Sequence, residues 1–520
     1  MKLSTSKRAN ALESVIVLLM VATPVVAQVG VLPNAPSQGS TAVQLPLSGS
    51  PSQIGGVTTV QEPVAGTTTS VNTLNTSVQA SGPFAGSVSS LAKAPFAGTL
   101  SFIDAIHRGL GFNLGTEGIT QAIRQAQGQS KAVRSGLLPN LDATASETVE
   151  QVNLRILGIR INSPVPGPTI PSIVGPFNYF DLRAHLTQTI GDMTAWQNYR
   201  SAQEIVRANE HALKDARDLV VLAVGGSYLQ VAAAKQRVLS EQAQLDTATA
   251  LFNQASQQRG VGLLAQTDVN RSRIQMLTEQ ERLETLKNDL AKQKINLARM
   301  IGLPANDQFD ISDTIPFSAG PAIDLAGALK NAYSRREDLK VAESQIRASQ
   351  LTRSAARAER LPSLAASGDY GVNGTNPNQS HGAFSATATL SIPIWRGGRA
   401  EGDVQQADAA YAQRKAEADN LQARIEGDVR SAFLDMQAAA NQVAVAQDNL
   451  TVSQENLDLV RQKLQVGVSD NVEVVQAQQA VASAQLDLIN SILAHNVAKL
   501  TLARAIGNAA DSLPDYLKLP

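Results

Sequence analysis

Two short stretches of the chain, 261-VGLLAQTDV-269 and 466-VGVSDNVEV-474, share one pattern. Each begins with Val-Gly, continues through a short polar turn and ends with an acidic residue followed by valine. The second stretch starts 205 residues after the first (466 − 261). Two other pairs of similar segments have the same offset. One pair is GSYLQVAAAKQRV from 226 and SAFLDMQAAANQV from 431, and the other is LARMIG from 297 and LARAIG from 502. A repeat at one fixed offset indicates an internal duplication. The sequence therefore predicts two related units, residues 100–304 and 322–507, joined by a linker over 305–321 and followed by a tail over 508–520.

Composition narrows the class of protein. The chain of 520 residues carries 44 basic and 45 acidic residues, a balance that gives no electrostatic reason to expect a nucleic-acid partner. Aromatic residues make up only 4% of the chain, which suits close-packed helices better than a layered globule. Cysteine is absent, so disulfides, thiolate metal sites and a cysteine nucleophile are excluded.

The N-terminal hundred residues are unlike the rest. A basic segment ending at Arg8 precedes an apolar run over 15–22 and small residues before Gln28. The apolar run is too short to cross a bilayer, so residues 1–27 are predicted to be a secretory signal peptide. Residues 28–99 are rich in Ser, Thr, Gly and Pro, and we expect a disordered extension there because this composition offers little apolar surface to bury.

Long helices are predicted in each unit. Proline breaks helices, and it is absent from 177–303 and from 394–513. Within the second of these runs, small and apolar residues step by 4, 3 or 7, which is a heptad seam: Ala432, Met436, Ala439, Val443, Ala446, Leu450, Leu457, Val460 and Leu464. The predicted helices cover about 194–258, 268–301, 400–465 and 471–506, with tight turns at 259–267 and 466–470. Gly225 and Gly226 interrupt the first helix and suggest a bend.

A period of two replaces the helical period before each long helix, which predicts two β-hairpins with strands near 141–157, 178–190, 363–373 and 383–394. Apolar residues alternate with polar ones such as Asp181, Arg183 and Thr387. A half-buried soluble sheet is one explanation. The other is a set of membrane strands whose lipid-facing side chains are Phe180, Leu182, Leu186, Phe384 and Leu390. Four strands cannot close a barrel and lipid tolerates no open edge, so the second explanation requires oligomers, and a trimer supplies twelve strands.

Motifs for catalysis and metal binding are missing. The chain's five histidines are scattered, and we find no Gly-x-Ser-x-Gly, phosphate-binding loop or His-Glu-x-x-His. We therefore expect no enzyme activity, no cofactor and no metal.

These features together resemble the TolC family of outer membrane efflux proteins over residues 100 to 507. The resemblance rests on RLPSLAASGDYG (360–371), LSIPIWRGGRAEG (390–402), the duplicated helix segments and the two turns, all in the family's order. It implies a mostly helical trimer, in which long antiparallel hairpins form a periplasmic α-barrel joined to a 12-stranded outer-membrane β-barrel. It also implies a passive exit duct for a tripartite efflux or type I secretion system, with an inner-membrane transporter and a periplasmic adaptor as partners.

The resemblance assigns roles to three groups of residues. The two turns become the adaptor-docking tips, with Val261, Gly262, Leu263, Val466, Gly467 and Val468. The periplasmic gate comprises Thr267, Asp268, Leu464, Ser469 and Glu473. The junction from strand to helix comprises Trp395, Gly397 and Gly398, with Trp395 as an interfacial anchor.

The gate departs from the family pattern. Leu464 and Ser469 stand where a tyrosine and an arginine are expected, and Gln476 replaces the second of two acidic residues. Two alternatives follow: a looser tip, or a tip held by apolar packing of Leu263 and Leu464. A rival class also remains, an exported coiled-coil structural protein or the adaptor itself, although an adaptor would need β-rich modules around a single helical hairpin.

Overall fold

The computed structural model describes residues 55–64, 73–88, 98–154, 172–304, 309–312, 317–318, 320, 323–466, 468, 471–507 and 509–510. The helices are α1 (Phe102–Phe112), α2 (Leu114–Ser135), α3 (Met193–Gly260), α4 (Gln266–Ile301), α5 (Leu325–Arg335), α6 (Glu337–Ala358), α7 (Arg399–Gln465) and α8 (Asn471–Ile506). The strands are β1 (Val57–Val64), β2 (Thr73–Ala80), β3 (Gly98–Leu100), β4 (Asn140–Asn153), β5 (Ile173–Gly191), β6 (Phe309–Ile311), β7 (Ser363–Gly374) and β8 (Ser380–Ser391). The predicted signal peptide, residues 1–27, lies outside the described residues.

Two long helical hairpins dominate the chain. The first pairs α3, 68 residues long, with α4, 36 residues long. The second pairs α7, 67 residues long, with α8, again 36 residues long. At 1.5 Å per residue, α3 and α7 are each about 100 Å long. The matching lengths confirm the predicted duplication, and each helix begins and ends within two residues of its predicted bounds.

α3 continues through Gly225 and Gly226, so the predicted interruption is wrong. Neighbouring elements instead approach the helix closely at these two positions. A Cβ atom on Gly226 would lie 2.3 Å from Cγ2 of Val78 on β2, and one on Gly225 would lie 3.0 Å from Cδ1 of Leu500 on α8. The two glycines therefore serve packing.

The prediction of a disordered extension over 28–99 is wrong for residues 55–64 and 73–88. There, β1 and β2 form an antiparallel hairpin, followed by a 3-10 turn at Gly82–Ala85. Val78 and Phe84 are buried in the main apolar core, and Thr59 Oγ1 lies 3.0 Å from Thr501 Oγ1 on α8. The composition wrongly predicted disorder because the few apolar residues of this segment are buried against the long helices rather than within the segment itself.

The linker over 305–321 also contributes structure. Phe309–Ile311 pairs in parallel with Gly98–Leu100, and both Phe309 and Ile311 are buried. The Tyr228 hydroxyl on α3 donates a hydrogen bond of 2.9 Å to the Leu100 carbonyl. The predicted tail also begins in contact with α3, because the Ala510 amide donates a hydrogen bond of 2.8 Å to Asp218 Oδ1. The main core therefore lies at mid-length of the long helices, where the chain's N- and C-terminal parts meet.

The membrane-type strands form one antiparallel sheet in the order β4-β5-β7-β8. The loop between β4 and β5, residues 154–172, is longer than the loop between β7 and β8, residues 375–379, as the sequence predicts. β8 ends at Ser391 rather than 394, because Pro393 has no N–H with which to continue the ladder.

Candidate functional site: the sheet faces and the hairpin tips

The register of the sheet brings the predicted apolar residues to one face. Leu182 lies opposite Ala145 on β4 and Val372 on β7. Tyr370 on β7 lies opposite Phe384 on β8. Every second residue of a strand points to the same side, so these residues share a face with Phe180, Leu186 and Leu390. Phe384 is 81% exposed, which shows that the described part of the chain leaves this apolar face uncovered.

The opposite face of the sheet is polar. Arg183 Nε donates to Asp181 Oδ1 at 2.7 Å, and Arg183 Nη2 donates to the Tyr179 hydroxyl at 3.1 Å. His185 Nδ1 lies 2.5 Å from Asp369 Oδ1 on β7, and the hydroxyl of Ser385 on β8 donates to Asp369 Oδ2 at 2.8 Å. Charged side chains thus satisfy one another across three strands, as expected on a face turned to water.

The assignment of the two faces predicts which labelling reagents react with cysteines introduced on each face. Because the chain has no cysteine, each introduced thiol is the only one in the protein. Phe384→Cys is expected to react with a lipid-soluble maleimide, and Thr387→Cys with a membrane-impermeant, water-soluble one, since the two residues lie three positions apart on opposite faces. Ala386→Cys is the control, because Ala386 is adjacent to Thr387 in the chain but lies on the apolar face and should react like Phe384→Cys. Reversed labelling would contradict the assignment of the faces.

The first tip closes α3 through a helix-ending turn at Gly262. The Leu263 amide donates to the Gln258 carbonyl at 2.9 Å, and the Gly262 amide donates to the Arg259 carbonyl at 3.0 Å. Gly262 has a φ of +79°, a left-handed conformation that favours glycine. The next helix begins at Gln266, so the reversal takes only a few residues.

The second tip repeats this closure. The Val468 amide donates to the Lys463 carbonyl at 3.0 Å, the same spacing along the chain as in the first tip. Gly467 and Ser469 lie outside the described residues. Val269 and Val474, which follow the acidic residue of each repeated motif, are both buried in their hairpins. The repeated sequence is therefore a turn followed by the first buried residue of a returning helix.

The predicted docking residues are exposed at the ends of both hairpins. Val261 and Leu263 are 72% and 76% exposed, and Val466 and Val468 are 73% and 77% exposed. Single exposed apolar residues are common on proteins, but four at two related tips form an apolar rim.

The described gate residues lie on three different helices, α4, α7 and α8. Asp268 lies in the first turn of α4, with Arg271 Nη1 3.3 Å from its Oδ1, and Glu473 is exposed in the first turn of α8. Leu464 packs inside the second hairpin against the cluster of Leu457, Val460, Val474, Ala477 and Val481. Leu263 is exposed, so within one chain the tip is not held by packing of Leu263 on Leu464.

The predicted junction residues lie between the end of the sheet and the start of α7. Trp395 is exposed between the end of β8 and the start of α7. Gly397 and Gly398 have φ values of +62° and +84°, and Gly398 is the N-terminal cap of α7. Two successive left-handed residues allow the chain to leave the sheet and turn into the helix.

A second apolar row lies on the hairpins and was not predicted from the sequence. Val445, Val452 and Leu459 follow one another at seven-residue steps along α7 and are 55% to 62% exposed. On α4, Ile274 and Leu277 are 65% and 49% exposed. The seven-residue spacing was a usable signal, but the buried seam on the same helix has the same period and concealed it.

Between the main core and the tips, polar side chains connect the two hairpins. On α3, Arg237 Nη2 donates to Asn490 Oδ1 of α8 at 2.6 Å, and the Ser240 hydroxyl donates to Gln485 Oε1 at 2.7 Å. The Gln479 side chain of α8 also donates to Gln275 Oε1 of α4 at 3.4 Å. Hydrogen bonds rather than apolar packing thus join the hairpins along these positions.

A buried ion network ties the second unit together near mid-length. Arg336 is buried, with Nη2 2.7 Å from Asp338 Oδ2 and Nη1 3.1 Å from Asp428 Oδ2 of α7. Burial alone would raise the pKa of Asp338, but the hydrogen bonds and charge of Arg336 outweigh it and hold that pKa below its usual range. Asp338 is therefore ionised at neutral pH and neutralises Arg336.

Among the described residues, no group of three or more His, Asp and Glu side chains is arranged to hold a metal ion. In the part of the chain that the structure describes, one helix, α3, is long and apolar enough to cross a membrane by length and composition, but 78% of its apolar window is buried within the chain.

The fold defines a class: two helical hairpins, each with one helix of about 100 Å, continue from a four-stranded sheet whose single apolar face is typical of outer-membrane strands. The family model for outer membrane efflux proteins matches residues 119–303 and 328–508, which correspond to the two repeats. The chain belongs to the outer membrane efflux protein family and resides in the outer membrane. This membership supports a channel over the rival coiled-coil or adaptor protein.

Individual proteins similar to this chain are also outer membrane proteins. The pyoverdine export outer membrane protein OpmQ of Pseudomonas aeruginosa is 25% identical over 405 residues, covering 75% of this chain and 81% of that protein. The outer membrane protein TolC of Escherichia coli is 23% identical over 338 residues, covering 62% of this chain and 68% of that protein. The crystal structure of the Campylobacter jejuni CmeC outer membrane channel superposes with a TM-score of 0.66 at 17% identity, covering 78% of this chain and 86% of that one.

Proposed function

We propose that three copies of this chain form a passive exit duct of a tripartite efflux or type I secretion system. The observation that carries the proposal is a sheet with an uncovered apolar face and two unpaired edge strands, β4 and β8, among the described residues. Open edges are not tolerated in lipid, so the sheets of neighbouring copies must pair. β5 ends at Gly191 and α3 begins at Met193, so the same chain continues from the barrel into the helical duct.

The exposed rows on α4 and α7 support the trimer. Cross-hairpin hydrogen bonds run from α3 and α4 to α8, which leaves α7 on the far side of α8. Leu459 lies nine residues before Val468 and Ile274 lies eleven residues after Leu263 (468 − 459 and 274 − 263), which puts them about 13 and 16 Å from their tips. The two apolar rows therefore lie at about the same distance from the tips, so α4 of one copy can pack on α7 of the next.

This seam gives the experiment that tests the duct. Ile274→Cys combined with Leu459→Cys is expected to form disulfides between copies, so that a covalent trimer persists on a denaturing gel without reductant. Ile274→Cys with Leu434→Cys is the matched control, because Leu434 is also exposed but lies about 50 Å from the tip (468 − 434 residues). The trimer should be in the outer-membrane fraction. Dimers only, or equal cross-linking in the control, would contradict the seam.

Partners are proposed from the tips. The apolar rim of Val261, Leu263, Val466 and Val468 suits the apolar face of a helical hairpin from a periplasmic adaptor. The adaptor would connect the duct to an inner-membrane transporter, which supplies the energy. The exported cargo is set by these partners, and the names of relatives such as OpmQ describe the cargo of those proteins.

A gate is proposed just above the rim. Asp268 and Glu473 occupy equivalent positions of the two repeats, each in the first turn of a returning helix. In a trimer they supply six carboxylates near the mouth, which favour the passage of cations. Thr267, Leu464 and Ser469 complete the proposed gate beside them.

A further inference from the structure

Two carboxylates meet inside the first hairpin, away from the tip. Glu241 of α3 is 3% exposed and Glu279 of α4 is 8% exposed. Glu279 stands three residues before Arg282 on α4, and Arg282 Nε lies 3.3 Å from Glu241 Oε2, so both carboxyls belong to the buried side where α3 and α4 pack. An ionised carboxylate only accepts hydrogen bonds, so the two groups can bond to each other only when one of them carries a proton.

The surroundings favour a bound proton at this pair. Arg282 Nε lies 3.3 Å from Glu241 Oε2, whereas Glu241 Oε1 is buried and accepts no hydrogen bond from the described residues. One arginine therefore faces two buried carboxylates, and an uncompensated negative charge remains unless a proton is bound. Burial, with the hydrogen bond to Glu279, raises the pKa of Glu241 from 4.5 to about 7, against the opposing charge of Arg282.

The pair is also connected to the second hairpin. The Gln275 side chain donates to Glu279 Oε1 at 2.5 Å, and its own Oε1 accepts from Gln479 of α8 at 3.4 Å. The Gln275 amide thus bridges the carboxylate pair and one of the polar contacts between the hairpins.

We propose that the buried Glu241 carboxyl holds a proton beside Glu279, and that release of this proton loosens the first hairpin and its contact with α8. On α3 and α4, the charged groups acting on Glu241 are Glu279 and Arg282. The bridge from α8 is the uncharged amide of Gln479. Losing the proton leaves a net negative charge between two close-packed helices, which either separates them or draws water between them.

The direction of the pH effect follows from the raised pKa of Glu241. Between pH 4.5 and about 7 the folded hairpin binds more protons at this group than the unfolded chain does. Its stabilising contribution is therefore complete below pH 4.5, falls as the pH rises, and is lost above about 7. Over that interval the equilibrium constant for opening rises by up to about tenfold per pH unit.

Hydrogen exchange of the purified full-length trimer tests this inference. Protection factors, corrected for intrinsic rates at each pH, are measured between about pH 5.5 and 8.5 for residues 236–246, 274–284 and 474–484. In the wild type we expect protection of the first two segments to fall about tenfold or more over this range, and that of the third to follow. Glu241→Gln is expected to abolish the fall, because the neutral amide cannot ionise.

Three variants complete the design. Glu284→Gln removes an exposed carboxylate of the same helix and should titrate like the wild type. Glu279→Gln should abolish the fall as Glu241→Gln does, which provides a second variant if the first folds poorly. Gln275→Leu should preserve the response of α3 and α4 but uncouple 474–484. A flat wild-type profile, or an unchanged profile in both glutamine variants, would overturn the bound proton.

The consequence for conduction rests on the proposed duct. Single-channel conductance of reconstituted trimers should rise with pH in the wild type and stay constant in Glu241→Gln. A constant wild-type conductance would overturn the effect on the duct. A protein whose protection titrates but which carries no current at any pH would contradict the duct and leave the protonated pair established.

Discussion

Replacing Val261, Leu263, Val466 and Val468 together with serine is expected to abolish export while the trimer still assembles in the outer membrane. Each of these side chains is more than 70% exposed, so the fold loses little when they become polar. A docked partner would bury them, and each is worth roughly 1.5–3 kcal/mol when fully buried. Losing four such contacts weakens docking by well over a hundredfold.

The measurement combines export of the native cargo with trimer abundance on an unboiled gel. Ile295→Ser provides the control, since Ile295 is also exposed on α4 but lies far from the tip. Normal export by the quadruple variant would show that the mouth does not dock through this rim. Gly262→Val tests the same tip through the backbone, because a φ of +79° strains a β-branched residue although no neighbouring side chain crowds the position.

Gly226→Ala is expected to cause a large loss of folded protein by displacing the N-terminal hairpin. The new Cβ atom would lie 2.3 Å from Cγ2 of Val78, a distance that requires β2 to move away from α3. Phe84 follows β2 in the chain and is buried in the same core, so movement of β2 also disturbs its packing. Phe84→Ala alone should cost about 3–5 kcal/mol, the usual range for a buried phenylalanine.

Thermal stability of the purified trimer and its yield in the membrane report on this change. Gly427→Ala on α7 is the matched control, because the added Cβ there meets no atom within 4 Å and alanine favours the helix by about 1 kcal/mol. Val78→Gly in the Gly226→Ala background should restore part of the yield by removing the clash. Full stability of Gly226→Ala would mean that the hairpin does not support the body of the protein.

Much of the architecture followed from local patterns in the sequence. The helix bounds and the two turns were predicted to within a few residues, because a heptad seam with no proline permits one regular structure over its whole length. The strands and their apolar face were also predictable, since alternation assigns each side chain to one side of a sheet. The tip residues followed from the duplication, which made one short motif visible twice.

Tertiary structure alone decided which distant segments meet. The strand order β4-β5-β7-β8 and the parallel pairing of Gly98–Leu100 with Phe309–Ile311 join residues that no local period connects. The N-terminal hairpin looked disordered because its apolar residues find their partners only on α3 and α8. Nothing in the sequence marks Glu241 or Glu279 as buried, because charged residues on helices are usually exposed to solvent. Their burial against one arginine depends on the register between two helices, which arises from packing along the whole hairpin rather than from either sequence segment.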